Sequence, residues 1–376
     1  MNNRQRFLET MHFGHPDRIP LAPGWPREST LATWHQQGLP EGCDWRVHLA
    51  ETLGLPTLPN PAYLSLGVHF EMQPTFEEKL LAHHHGHYIV QDWMGAITEI
   101  SDGYDYTYIR SAKDFVTRKW HRFPVQSRQD WIEKIRWRYD PDDPSRFPAD
   151  FESTCQALQD RQEVLSLSFN GPFWQLREWL GFEGLCLAFA TQPAWVEEMV
   201  EFWTVHGLCM LDKILSHTTL DQVQVNEDMA YKLHSMISPG MVRRFLLPAW
   251  QQWLQRIKTS SPQAVLLVDS DGYITELVPL WIEAGFDATW PVEVAAGNDL
   301  VALRRKYGKN LAYGGGIDKR ALAQDSLAIQ GELARLAPVL AQGGYLPGCD
   351  HGVPPDISWP NFIEYTRRLA QLTGWL

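Results

Sequence analysis

From residue 164 onward, short apolar runs alternate with longer stretches of helical spacing, and nearly every run stops at a polar cluster. The runs fall at 164–169, 223–226, 265–269, 288–291, 311–314 and 344–346, with helical patterns at 193–216, 239–258, 274–284, 300–307, 326–341 and 359–372. Short buried runs separated by helices make parallel strands, because each crossover helix returns the chain to the same end of the sheet. Adding runs at 19–21 and near 54–57 gives eight strands, which predicts an α/β fold: one (β/α)8 TIM barrel spanning 1–376. The first strand is not followed by a GxGxxG sequence, which argues against an open dinucleotide-binding sheet. The stretch 1–160 reads as an irregular N-terminal part. It carries a β-hairpin insertion at 88–110 that turns at Ser101–Asp105 and lies outside the parallel core, and 161–376 reads as regular βα units.

Composition narrows the function classes. A net charge of −12 repels phosphate backbones, so nucleic acid is excluded as a partner class, as is an acidic membrane surface. No apolar run approaches the roughly 18 residues needed to cross a bilayer, and the start is polar, so a cytoplasmic protein is expected. The five cysteines are irregularly spaced and predict reduced thiols. Seventeen tryptophans point to large aromatic surfaces, in the core, at an interface or as walls of a pocket.

In a parallel barrel the chemistry sits at the carboxyl ends of the strands, where the following loops converge. Those ends here are acidic: Asn226-Glu227-Asp228, Asp269-Ser270-Asp271-Gly272, Glu293 after Pro291, Asp318 after the glycine run, and Cys349-Asp350-His351-Gly352. Glu227 reads as functional because a carboxylate beside a buried strand end is costly unless paired or used. Asp269 is the better candidate to point into the mouth, since alternate strand residues face opposite sides and Asp271 must reach in from the loop. Asp228 and Asp318 also fit as helix caps. Cys349 reads as a small packing residue or a metal ligand, and His351 as a proton donor or ligand on an accessible glycine-flanked loop. Substrate-binding candidates are Arg27, Asn170, Glu293, Tyr313 and Gly315, the last within Gly314-Gly315-Gly316, whose amides could cradle an anion. A metal site would draw on Cys349, His351, Asp269 and Glu227. The run His83-His84-His85-Gly86-His87 reads as a solvated loop.

Taken together, several segments resemble the uroporphyrinogen decarboxylase superfamily. The stretch Gly348-Cys349-Asp350-His351-Gly352-Val353-Pro354-Pro355-Asp356 looks like its C-terminal Gly-His-Gly, Pro-Asp segment. Matches to the wider superfamily occur at 3–18, Gln91-Asp92-Trp93-Met94-Gly95, Glu227-Asp228-Met229-Ala230-Tyr231, Ile237-Ser238-Pro239, Asp269-Ser270-Asp271-Gly272, Pro291-Val292-Glu293 and 314–320. The resemblance implies a barrel with one of two chemistries. One is cofactor-free decarboxylation of a tetrapyrrole or smaller acid, with His351 contacting substrate. The other is methyl transfer involving a corrinoid on a cobalamin-binding partner protein, often with zinc. The arginine-rich loop of the decarboxylases is reduced here to Arg27, and an octa-acid substrate needs several cations. The His-x-Cys-Gly of the zinc methyltransferases appears as Asp269-Ser270-Asp271-Gly272, a harder donor set that weakens zinc binding. The expectation is a corrinoid-linked methyltransferase-like enzyme acting on a small methylated substrate, with decarboxylation or non-catalytic tetrapyrrole binding as alternatives. The oligomeric state stays open, a homodimer included.

Overall fold

The computed structural model describes residues 1–58, 63–110 and 116–376. Its centre is a seven-stranded parallel sheet of sequential neighbours. These are β1 (Tyr63–Leu64), β6 (Val164–Asn170), β7 (Gln222–Asn226), β8 (Val265–Asp269), β9 (Ala288–Val292), β10 (Ala312–Ile317) and β11 (Tyr345–Cys349). A second, antiparallel sheet joins β2 (Lys79–His84), β3 (His87–Gln91), β4 (Ile97–Ser101) and β5 (Arg118–Arg122).

Helices cover the outer face of the parallel sheet. Leu247–Ser260 shows why: Trp250, Trp253, Leu254 and Ile257 recur at helical spacing and all are buried. The inner face carries a separate apolar cluster, in which Phe7 and Met11 of the N-terminal helix Asn3–Met11 pack on Val164, Val265, Leu267, Ala288, Ala312 and Leu346. That helix starts on a reciprocal cap between Asn2 and Gln5 and plugs the end of the sheet opposite the candidate mouth.

The eight-stranded expectation is corrected in two places. Residues 19–21 form no strand: the segment around them carries Pro20, Pro23 and Pro26, which have no amide hydrogen for a ladder. The segment instead lies along the edge beyond β11 through isolated bonds, Cys349 N–H to Pro23 O at 3.2 Å and Val353 N–H to Trp25 O at 2.8 Å. At 54–57, Gly54 is the left-handed cap of helix Trp45–Leu53, so the run is a helix exit, and β1 supplies the pairing with β6. The insertion lies outside the parallel sheet as expected but has more strands. Asp92 accepts the amides of Met94 and Ala96 and breaks the first run into β3 and β4, and β5, rather than 106–110, pairs with β4. The histidine run forms the tip of the β2–β3 hairpin, turning at His85-Gly86 with positive φ at both residues.

Candidate active site

The inner wall of the sheet is polar at alternate positions. On β7, Gln222, Gln224 and Asn226 face inward while Val223 and Val225 pack outward. Gln222 donates to Ser166 of β6, Asn226 to Ser168 of β6, and Gln224 to Asp269 at the tip of β8 (2.7 Å). Ser166, Gln222, Gln224 and Asp269 line a cavity of about 460 Å³ inside the curl of the sheet. Above it, at the strand ends, lies a smaller cavity of about 220 Å³ walled by Trp25, Trp174, Trp290, Asn226, Asp228, Asp269, Asp271, Pro291 and His351. Trp25, Asp269 and Trp290 line both.

Asp269 is the deepest acid of this mouth. Burial, and then the neighbouring Asp271 and Asp228 carboxylates, push its carboxyl up to about 7. Asp271 lies 3.3 Å from His351 Nε2, and that hydrogen bond raises the imidazole above its ordinary range. Asp228 sits at a left-handed turn with φ of 39° and is tied to Arg177 at 3.0 Å. The loop carrying Asp271 is fixed from both sides: Ser270 N–H donates to Trp290 O, and Gly272 N–H donates to Glu293. Gly272 has φ of +83°, and a Cβ there would stand 2.7 Å from Ala230 O, so the turn requires glycine.

The other candidates are placed elsewhere. Glu227 is fully buried, turned from the mouth. It accepts the amides of Phe173 and Trp174 at the start of helix Pro172–Thr191 and the Trp250 indole at 2.6 Å, and burial pushes it up to about 8. The desolvation argument identified a special residue, but its partners are structural. Cys349 is buried among apolar side chains, its thiol pushed up to about 12 by burial, with Gly24 packed on its Cβ. Consequently Cys349, His351, Asp269 and Glu227 are not gathered into one set, and among the described residues no three His, Cys, Asp or Glu side chains form a metal-holding group. A thiol-activating zinc does not fit this mouth. Tyr313 is fully buried beside Arg304, away from the cavities. Gly315 lies inside β10, where its carbonyl accepts from Tyr345, so the glycine run is no anion cradle. Its use is steric: a Cβ at Gly314 would stand 2.1 Å from Trp290. Asn170 at the end of β6 donates to Gln175 and Glu178. Arg27 lies beside the last loop, its Nε 3.7 Å from where a Gly352 Cβ would be, and Glu293 holds Lys319 at 2.9 Å. Asp318 caps the turn after β10. Sequence reasoning missed the three indoles and the inward Asp228. The signal available for the former was the tryptophan count.

Comparison of the sequence with family models and with curated proteins finds no match in either. Among solved structures the fold matches a methyltransferase from Methanosarcina mazei, with a TM-score of 0.59 at 14% identity, covering 100% of this chain and 98% of that one. The chain therefore has the α/β fold of that methyltransferase over its full length. At this identity the likeness concerns the fold alone. No helix of the described residues is long and apolar enough to cross a membrane.

Proposed function

We propose that the protein is a methyltransferase-like enzyme whose mouth receives a small methylated cation. The observation that carries this reading is the composition of the 220 Å³ cavity: Asp228, Asp269 and Asp271 set among Trp25, Trp174 and Trp290, with no Lys or Arg in its lining. Carboxylates attract an ammonium group, and indole faces are the best cation–π partners for its methyl-bearing surface. The same lining repels a polycarboxylate, which disfavours the decarboxylase alternative.

In this reading Asp269, poised near neutrality, pairs with the cation when ionised. The three indoles hold the methyl groups and keep water away. His351, steered by Asp271, holds a proton at Nε2 that the released amine can take after the methyl group has left as a cation equivalent. The nucleophile for methyl transfer would come from a corrinoid on a cobalamin-binding partner protein, the mouth residues serving to hold and orient the methylated cation toward it. The test is turnover of choline with cob(I)alamin supplied as acceptor, following the demethylated amine by proton NMR. Formation of that amine, lost in Asp269→Asn, is expected. Carbon dioxide release from a tetrapyrrole acid, with no amine formed, would overturn the proposal.

A further inference from the structure

Beside the mouth, between β5 and helix Pro172–Thr191, runs a groove of about 830 Å³ that shares Trp174 and Asp228 with the acidic cavity. Unlike the mouth it carries cationic side chains, Arg118, His121, Arg122 and Arg177, set beside Glu178, Glu183 and Asp228. Two of these are already engaged, Arg177 by Asp228 and His121 by Glu99.

Arg118 is not. It is half-buried on β5, opposite Ile100 of β4, with its guanidinium 4.5 Å from the Trp120 ring centroid. Its Nη1 is shielded from solvent and has no hydrogen-bond partner, and the guanidinium makes no ion pair with any described residue. Other buried arginines are more fully engaged: Arg146 donates to four backbone carbonyls, of Asp140, His69, Glu71 and Arg138, and Arg304 uses both terminal nitrogens on Gly343 and Gly344, leaving only its Nε unpartnered. The acids that attract Arg118 most, Asp92 and Glu178, are committed elsewhere. Asp92 accepts the Met94 and Ala96 amides, and Glu178 accepts from Trp174 Nε1 at 2.7 Å. A guanidinium removed from water without an acceptor is costly, and it gains most from a planar bidentate anion.

We infer that this groove is an anion subsite, in which Arg118 receives a carboxylate, so that the ligand is a zwitterion with its methylated ammonium in the mouth and its carboxylate tail beside Arg118. The inference rests on the cation-binding reading of the mouth and adds the second charge. It also supplies a reason for placing an acidic cavity and one that carries three arginines on either side of a shared wall, Trp174 and Asp228.

The test uses calorimetric titration of the full chain with tetramethylammonium, glycine betaine, γ-butyrobetaine and butyrate. At least one betaine is expected to bind roughly 10- to 100-fold tighter than tetramethylammonium. Arg118→Gln should abolish that advantage and leave tetramethylammonium affinity unchanged, and Arg118→Lys, which keeps the charge, should restore part of it. Betaines that bind no tighter than tetramethylammonium, or an advantage that survives Arg118→Gln, would overturn the subsite while leaving the cation-binding mouth intact. Butyrate binding that depends on Arg118, without any tetramethylammonium binding, would keep the subsite and overturn the mouth. If no probe binds, both fall.

Discussion

Two acids at the ends of neighbouring strands show how position decides the use of a carboxylate. Asp269 faces a cavity beside two other carboxylates, whereas Glu227 faces a helix start and three N–H donors. Only the ionised form of Asp269 attracts a cation. Its carboxyl is raised to about 7, so affinity for choline should rise as pH increases through about 7 and fall below it, and Asp269→Asn should flatten this profile. The same shift has a stability consequence of definite sign. The folded value lies above the ordinary aspartate value of 3.8, so the fold binds more protons than the unfolded chain between them and loses stability as pH rises through that window. Asp269→Asn should therefore be more stable than the natural protein at pH 8, by roughly 2–4 kcal/mol, and near parity at pH 4, measured by urea unfolding. Glu227→Gln differs in its cost below the folded value of about 8, where the carboxyl is already neutral. Gln keeps one oxygen for the Phe173 and Trp174 amides but sets an NH2 group against the Trp250 indole, which should destabilise the fold by about 1–3 kcal/mol at pH 6 while leaving choline affinity unchanged, since Glu227 does not line the cavity. The sequence marked both acids as unusual. Strand alternation also pointed Asp269 inward, but it could not turn Glu227 away from the mouth, because that depends on the bend at Asn226-Glu227 and on Trp250 behind it.

At the level of elements, β7 was the most legible part of the site: Gln222-Val223-Gln224-Val225-Asn226 writes its polar inner wall directly in alternation. The run Gly314-Gly315-Gly316 was the least. Glycines that cradle an anion and glycines that admit a neighbouring indole look alike until the neighbour is known, and here Trp290 of β9 occupies the space. Gly314→Ala puts a methyl group 2.1 Å from that ring. Overpacking of this kind costs about 1–3 kcal/mol, so the variant should unfold at lower urea concentration. It should also bind choline more weakly, because the displaced ring forms a wall of the mouth. Unchanged affinity with lowered stability would remove Trp290 from the proposed cage. The antiparallel sheet was read as a single hairpin because the Asp92 turn and the pairing of β5 depend on side-chain-to-backbone bonds and on a partner distant in sequence.

At the scale of the molecule, seven strands pair in the parallel sheet among the described residues, and a proline-bearing segment runs along its last edge. The alternating pattern carried the fold class; strand count failed where prolines and a helix cap imitated apolar runs. The N-terminal end of the sheet is held by Asp221, nearly fully buried, which accepts Arg4 at 2.8 Å, Arg161 at 2.6 Å and the Leu165 amide at 2.9 Å. Removing one member of a buried charge cluster strands the others, so Asp221→Ala should cost about 3–5 kcal/mol in urea unfolding without changing the pH profile of binding. The central claim concerns the opposite end, and it is tested most directly by titrating the protein at pH 8 with choline and with its uncharged tert-butyl analogue. The account predicts that choline binds and the analogue, equal in shape, binds at least about tenfold more weakly. Equal affinity for the two would contradict it.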